Sequence, residues 1–179
     1  MNQREIWKPL LALLLACGLL LGLSAVLEPV RAERQQEHDR MIMEYLLMDS
    51  KSFEEEPYSG EDETITAVYK GDTGYVVETR VDGYADEIVL WVGVKNDGYV
   101  TGVTVRELGE TYGLGRNTAS DADVLLQFLR GTGQSAVGED IDAVTGATVS
   151  SRAVTKAVNA AVGFVTGADV SSGATEWGD

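Results

Sequence analysis

The sequence is poor in the residues from which most catalytic and metal sites are built. Its 179 residues include a single cysteine, Cys17, and a single histidine, His38. One cysteine excludes a disulfide within the chain, and one Cys with one His is too few ligands for a zinc or haem site of the usual kind. His38 lies in a polar helical stretch, where a solvated side chain is the expected state. A Ser–His–Asp or Cys–His catalytic apparatus is therefore not expected.

Basic residues are also scarce. The chain has 14 Lys and Arg against 29 Asp and Glu, a formal net charge of −15. After Leu27 the counts are 12 and 28, so nearly all of this charge lies in one part of the chain. A domain this acidic repels nucleic acid and anionic lipid headgroups. The composition thus excludes nucleic acid as a partner. The acidity is interpreted as a solvated surface rather than a specific site, with a cationic partner as the alternative.

The chain contains one long apolar run. From Pro9 to Leu27 there are 19 residues without a charge, and as a helix they reach roughly 28 Å, about the thickness of the bilayer hydrocarbon. Arg4 and Lys8 precede the run, which favours a cytoplasmic N-terminus. We therefore predict a cytoplasmic segment 1–8, a transmembrane helix 9–27 and an extracytoplasmic remainder. A cleaved signal peptide and lipidation of Cys17 remain as alternatives.

Two polar segments flank the predicted domain. Residues 28–63 are interpreted as a juxtamembrane helix to about residue 50 followed by an acidic linker, in which Pro57 and Gly60 favour a loop. Residues 167–179 lack the apolar content to fold alone, so they are predicted to form a flexible C-terminal tail.

The domain between them, residues 64–166, begins with β-branched runs that alternate with polar residues. Asn96-Asp97-Gly98 separates two of these runs and is a strong hairpin signal. The pattern predicts an antiparallel meander and an α+β fold. The four predicted strands are residues 64–70, 75–81, 87–95 and 99–106.

Helices are predicted in the second half of the domain. Ser120 is a candidate cap for a helix over residues 121–130, and residues 137–143 are interpreted as a short strand. The clearest helix covers residues 151–165, with Ser150 or Ser151 as its N-cap. Its apolar side chains recur at helical spacing and predict a buried stripe. They are Ala153, Val154, Ala157, Val158, Ala161, Val162 and Val165.

The chain contains two near-copies of one heptapeptide. Residues 142–148 read DAVTGAT and residues 169–175 read DVSSGAT. Thr148 precedes the long predicted helix, whose free N–H groups and dipole favour a phosphate, whereas Thr175 leads only into the acidic end of the chain. In the first copy, small residues allow close backbone approach and hydroxyls add donors. These residues are Thr145, Gly146, Ala147, Ser150 and Ser151. The spacing alone nevertheless favours an ordinary loop before a capped helix.

Residues 142–151 (DAVTGATVSS) resemble the flavinylation motif D-x-x-[S/T]-G-A-T of the FMN-binding domain family. The resemblance implies that Thr148 carries FMN through a phosphoester, made from FAD by a dedicated Mg²⁺-dependent flavin transferase. A second segment, residues 110–115 (ETYGLG), is similar to the family's E-T-P-G-L-G loop, with Tyr112 in place of proline. By resemblance, this loop lies along the flavin ring or its ribityl chain. The residues that would contact the cofactor are Glu110, Thr111, Gly113, Leu114 and Gly115.

The predicted anchor and domain together resemble the G subunits of Rnf-type electron-transport complexes, which are related to the C subunits of sodium-pumping NADH:quinone reductases. This resemblance implies an electron-relaying subunit of a ferredoxin:NAD⁺ oxidoreductase that translocates ions. It implies a single-pass protein of the cell (inner) membrane, whose partners are the other membrane subunits, a flavin transferase and the bilayer. Two alternatives remain: a stand-alone anchored flavoprotein, and a non-redox binding or sensory module.

Overall fold

The computed structural model describes residues 3–84, 86–108, 122–129, 131, 135–138, 141–142 and 148–168, except for the side chains of residues 3–11, 20–21, 23–27 and 108. The chain divides into two compact units, Met1–Met41 and Ile42–Asp179. Helix α1 covers Gln3–Leu46. Among residues with described side chains, no helix combines the length and apolarity needed to cross a membrane.

The second unit is built on a five-stranded sheet. Its strands are β1 (Phe53–Glu56), β2 (Ile65–Gly71), β3 (Gly74–Asp82), β4 (Glu87–Lys95) and β5 (Val100–Leu108). They lie in chain order and every neighbouring pair is antiparallel. The predicted α+β class and antiparallel meander are confirmed, and the predicted strand bounds differ from the observed ones by at most two residues.

Strand β1 corrects one prediction, because residues 53–56 lie in the segment interpreted as an acidic loop. Phe53 pairs with Gly71 and Glu56 with Val68 at the edge of the sheet. An edge strand needs only one partner, and its acidic side chains can remain in water. Lys70 also forms an ion pair with Glu56 at 3.0 Å. Pairing with β2, which local composition does not encode, thus makes this stretch a strand.

The turn between β4 and β5 forms as its sequence predicts. The Gly98 N–H donates to the Lys95 carbonyl at 2.8 Å, and the Tyr99 N–H donates to the Asp97 carboxylate at 3.1 Å. Gly98 has φ +85°, a left-handed conformation that glycine adopts without steric cost. Gly98 therefore closes the hairpin in a backbone conformation that a β-branched residue would adopt only with strain.

In the described residues after the sheet there are two helices, α2 (Ala122–Gln127) and α3 (Thr148–Thr166). Helix α2 is shorter than the predicted helix 121–130, and Ser120 lies outside the described residues. In the predicted strand 137–143, the described residues form only an isolated parallel bridge between Val137 and Ile141. Helix α3 begins three residues earlier than predicted, which changes the position of its first turn.

Helix α3 covers one face of the sheet and forms the main core with it. Six of the seven apolar residues of the predicted stripe are buried, and Val165 packs partly buried at the end of the stripe. They meet the alternate side chains of the central strands, because successive residues of a strand face opposite sides. The strand residues buried in this core are Ile65, Val68, Val77, Val81, Ile88, Leu90, Val92, Val94 and Val100.

A smaller core lies on the opposite face of the sheet. Met43, Leu46 and Leu47, at the end of α1 and just after it, pack there with Val76 and Trp91. The Thr101 hydroxyl donates to the Leu46 carbonyl, which ties the end of the helix to β5. The central strands are therefore buried on both faces, which explains why β4 (EIVLWVGVK) is apolar almost throughout.

Candidate functional site

The candidate site is the N-terminal end of α3. Thr148 is the first residue of this 19-residue helix, and its side chain is exposed to solvent. The first turn contains no acidic residue. The first N–H groups of a helix have no acceptor within it, and the dipole places partial positive charge there. An anion attached to the Thr148 hydroxyl would therefore meet a favourable field.

Ser150 and Ser151 do not cap the helix, so this prediction is wrong. They are the third and fourth residues of α3, and both are fully buried, each with a relative exposure of 0%. The Ser151 carbonyl accepts a hydrogen bond from the Thr155 hydroxyl at 2.9 Å within the helix. Their hydroxyls therefore face the protein interior, and their contact with a cofactor remains a prediction.

The position of the C-terminal end of α3 shows near which ends of the strands Thr148 lies. The Phe164 ring packs edge-on against Tyr75, near the start of β3, with ring centroids 5.6 Å apart. It also packs against Tyr58 at 5.8 Å. A helix of this length extends roughly 28 Å, about as far as a nine-residue strand. Thr148 therefore lies toward the other end of the strands, where β3 and β5 end and β4 begins.

The second motif follows that end of the sheet along the chain. Strand β5 ends at Leu108, two residues before Glu110. The β3–β4 turn lies at the same end of the sheet, and its Tyr84 side chain is exposed, with a relative exposure of 77%. Most of the predicted cofactor-binding residues lie outside the described residues, so their roles stay predictions. They are Glu110, Thr111, Gly113, Leu114, Gly115, Thr145, Gly146 and Ala147.

Two cationic side chains of α3 were missed from the sequence. Arg152 and Lys156 follow Thr148 at intervals of four residues, which places all three on one side of the helix. Lys156 is exposed and Arg152 is partly exposed. The i, i+4, i+8 spacing could have revealed them. In a chain of net charge −15, two cations on the side of the helix that carries Thr148 make this helix face locally basic.

The described residues also limit what else the site can hold. Among them, no three His, Cys, Asp or Glu side chains are grouped closely enough to bind a metal ion. The arrangement at Thr148 thus offers a hydroxyl, a helix N-terminus and two cations, which is chemistry suited to a phosphate.

Residues 83–163 match the FMN-binding domain family. The G subunit of the Na⁺-translocating ferredoxin:NAD⁺ oxidoreductase complex of Acetobacterium woodii is 36% identical over 99 residues, about half of this chain (50%) and of that relative (47%). The G subunit of the proton-translocating ferredoxin:NAD⁺ oxidoreductase complex of Clostridium ljungdahlii is 32% identical over 79% of each chain. The G subunit of an ion-translocating oxidoreductase complex of Methanosarcina acetivorans is 29% identical over 92% of this chain and 96% of its own length.

These matches agree with the resemblance drawn from the two motifs, and they favour a complex subunit over a stand-alone flavoprotein or a sensory module. The FMN-binding match ends at residue 163, so it includes Thr148 but not Thr175. The chain belongs to the family of G subunits of ion-translocating oxidoreductase complexes, and it contains that family's FMN-binding domain.

Proposed function

We propose that this chain relays electrons through FMN joined by a phosphoester to the Thr148 side-chain oxygen. The observation that carries the proposal is the position of Thr148, exposed at the N-terminus of α3 inside the FMN-binding match. The complex would transfer electrons between ferredoxin and NAD⁺ and couple this transfer to Na⁺ or H⁺ transport, as the names of the relatives state for their own complexes.

The described residues fit a phosphoester at this position. A phosphodiester is negatively charged, and the first turn of α3 presents N–H groups without a competing carboxylate. Arg152 and Lys156 add positive charge along the same side of the helix. Once bound, FMN supplies the capacity to accept and donate electrons. The chain's own residues hold its phosphate and keep it attached to the protein.

The domain contains no His or Cys that could activate the threonine. A hydroxyl needs an adjacent base to become a good nucleophile, and the chain's only Cys and His, Cys17 and His38, both precede the domain. A separate flavin transferase would therefore catalyse attachment. The Thr148 oxygen would form a bond to the FMN phosphorus of FAD, the pyrophosphate bond would break, AMP would leave, and the transferase would take the hydroxyl proton.

We also propose that residues 9–27 anchor the chain in the cell membrane, with the N-terminus cytoplasmic and the FMN-binding domain extracytoplasmic. The support is the uncharged run of 19 residues preceded by Arg4 and Lys8. An anchored chain would stay with the membrane after alkaline carbonate extraction. Protease added to intact spheroplasts would degrade the domain, and release of the chain by carbonate would contradict the anchor.

The covalent attachment is tested in chain matured with the transferase. Intact mass, peptide mapping and ultraviolet fluorescence in a denaturing gel are measured for the wild type, Thr148→Ala and Thr175→Ala. The Thr175 variant is the matched control, because it alters the same heptapeptide type in the tail. We expect flavin in the wild type and in Thr175→Ala but not in Thr148→Ala. Flavin retained by Thr148→Ala would refute the proposed site.

A further inference from the structure

Gln127, the last residue of α2, is bonded to the start of the flavinylation motif. Its side-chain oxygen Oε1 accepts a hydrogen bond from the backbone N–H of Asp142 at 2.7 Å. Since a backbone N–H can only donate, the contact also determines which end of the Gln127 amide faces Asp142. Asp142 is the first residue of DAVTGAT, whose last residue is Thr148.

The position of Gln127 along the chain gives this bond a second meaning. Helix α2 follows the 110–115 segment, and Asp142 opens the 142–148 segment. These are the two segments that resemble flavin-binding motifs. The Gln127–Asp142 bond therefore joins α2, which follows the first motif in the chain, to the first residue of the second motif.

Both partners are attached to the core of the domain. Next to Gln127, Phe128 is 1% exposed and packs in the core under the sheet. Next to Asp142, Ile141 is also 1% exposed, and its carbonyl accepts a hydrogen bond from the Gly138 N–H at 2.8 Å. The bond thus connects two fixed points.

A residue of α3 holds the same segment further upstream. The Asn159 side chain accepts from the Ser135 N–H at 3.1 Å and donates to the Ser135 carbonyl at 2.8 Å. Asn159 is nearly fully buried, so these bonds are shielded from water. The chain from residue 135 to residue 142 is therefore held at Asn159, at the Val137–Ile141 bridge and at Gln127.

We propose that Gln127 is a positioning residue for the modification of Thr148. By accepting the Asp142 N–H, it fixes the first residue of the motif relative to α2, six residues before Thr148. This restriction presents Thr148 to the transferase in fewer arrangements, which reduces the ordering cost of the encounter. The inference rests on the proposed attachment of FMN to Thr148.

The test is transfer of FMN in vitro to the full chain in detergent, with purified transferase, FAD and Mg²⁺. Initial rates are measured against the concentration of acceptor chain for the wild type, Gln127→Ala, Gln127→Glu and Leu126→Ala. The glutamate variant keeps an acceptor oxygen, and Leu126 is an exposed neighbour on the same helix that serves as the matched control.

We expect Gln127→Ala to lower kcat/KM by about threefold to tenfold, mainly by raising KM, as the loss of one ordering hydrogen bond requires. Gln127→Glu and Leu126→Ala should retain most of the wild-type value. Because the bond lies near the surface, the Tm of Gln127→Ala should stay within about 3 °C of the wild type. Amide hydrogen exchange at Asp142 should be faster in Gln127→Ala than in Gln127→Glu.

Three results would overturn the inference while leaving the proposed function intact. They are wild-type kcat/KM in Gln127→Ala, an equal loss in the alanine and glutamate variants, and a loss of rate that follows a large fall in Tm. Failure of the wild type to receive FMN at Thr148 would instead refute the proposed function, and the role of Gln127 with it.

Discussion

Gly98, in the β4–β5 turn, lies directly against Thr166, the last residue of α3. A Cβ atom at Gly98 would come within 2.5 Å of the Thr166 methyl carbon Cγ2. Thr166 is itself held, because its hydroxyl donates to the Val162 carbonyl at 2.8 Å. This contact places the C-terminal end of α3 against the hairpin turn. The N-terminal end of α3, with Thr148, lies toward the opposite ends of the strands.

The Gly98–Thr166 contact predicts that Gly98→Ala is strongly destabilising. The variant combines a left-handed backbone with a steric clash, so we expect a loss of about 3 kcal/mol in the free energy of unfolding. Urea denaturation followed by circular dichroism measures it. Gly167→Ala is the matched control, because Gly167 has φ +70° but no atom within 4 Å of its would-be Cβ. Equal losses in the two variants would show that the Thr166 contact adds nothing.

The Trp91–Glu78 pair predicts a second effect on stability. The Trp91 indole N–H donates to one carboxylate oxygen of Glu78 at 2.8 Å, and the Thr66 hydroxyl donates to the other at 2.8 Å. Trp91 is 2% exposed. Glu78→Ala leaves the buried indole N–H without its acceptor, which should lower the free energy of unfolding by about 1–3 kcal/mol.

Glu78→Gln keeps an acceptor oxygen for the indole and should lose less. Glu87→Gln is the control for charge, because Glu87 forms an exposed ion pair with Arg80 at 2.9 Å, and such pairs contribute about 0–1 kcal/mol. Urea denaturation of all three variants separates the effects. A loss in Glu78→Ala no greater than that in Glu87→Gln would contradict the role of the hydrogen bond.

Asp72 predicts a pH dependence of stability. Its carboxylate accepts from the Lys51 N–H at 2.9 Å and from the Ser52 hydroxyl at 3.0 Å. These bonds, the Lys51 N–H foremost, lower the pKa of Asp72 below its ordinary value of 3.8. A carboxylate with a depressed folded pKa contributes stability above its unfolded pKa, and this contribution is lost as the pH falls through the folded pKa.

Asp72→Asn should therefore be less stable than the wild type near neutral pH, and the difference should shrink as the pH falls below about 4. Thermal unfolding across the acid range measures it. Asp82→Asn, an exposed substitution on β3, is the control and should show a smaller dependence on pH. A constant difference between Asp72→Asn and the wild type at every pH would contradict the prediction.

Lys156, at the middle of α3, predicts that FMN transfer depends on charge along the side of the helix that carries Thr148. Reversal of this exposed charge by Lys156→Glu places a carboxylate on the side of the helix that carries Thr148. We expect the rate of FMN transfer to fall by about twofold to fivefold at low salt, and by less at high salt because ions screen the exposed charge. Transfer rates at the two ionic strengths measure the effect.

Lys95→Glu is the control for net charge, since Lys95 is the last residue of β4, at the end of the sheet away from Thr148, and pairs with Asp49 at 3.0 Å. It should transfer FMN at nearly the wild-type rate. A similar decrease in both variants would mean that the overall charge of the domain governs transfer, rather than the charge beside Thr148.

The elements on either side of the candidate site's described residues could be predicted from sequence, because their signals are local. The helix after Thr148 follows from small and apolar residues at helical spacing, and the Asn96-Asp97-Gly98 turn follows from residues that accept its backbone angles. The first turn of α3 could not be predicted as well. Three of the four residues 148–151 carry hydroxyls that suit a helix cap: Thr148, Ser150 and Ser151. Only packing decided which of them are buried.

The sequence by itself determined the meander and the long helix, since turn residues and apolar periodicity act within a few residues of the chain. The tertiary structure alone decided that residues 53–56 become an edge strand, that Ser150 and Ser151 face the interior, and that Gln127 receives the Asp142 N–H. Those features join residues far apart in sequence. Their stability comes from pairing and burial that exist only after the sheet and α3 have come together.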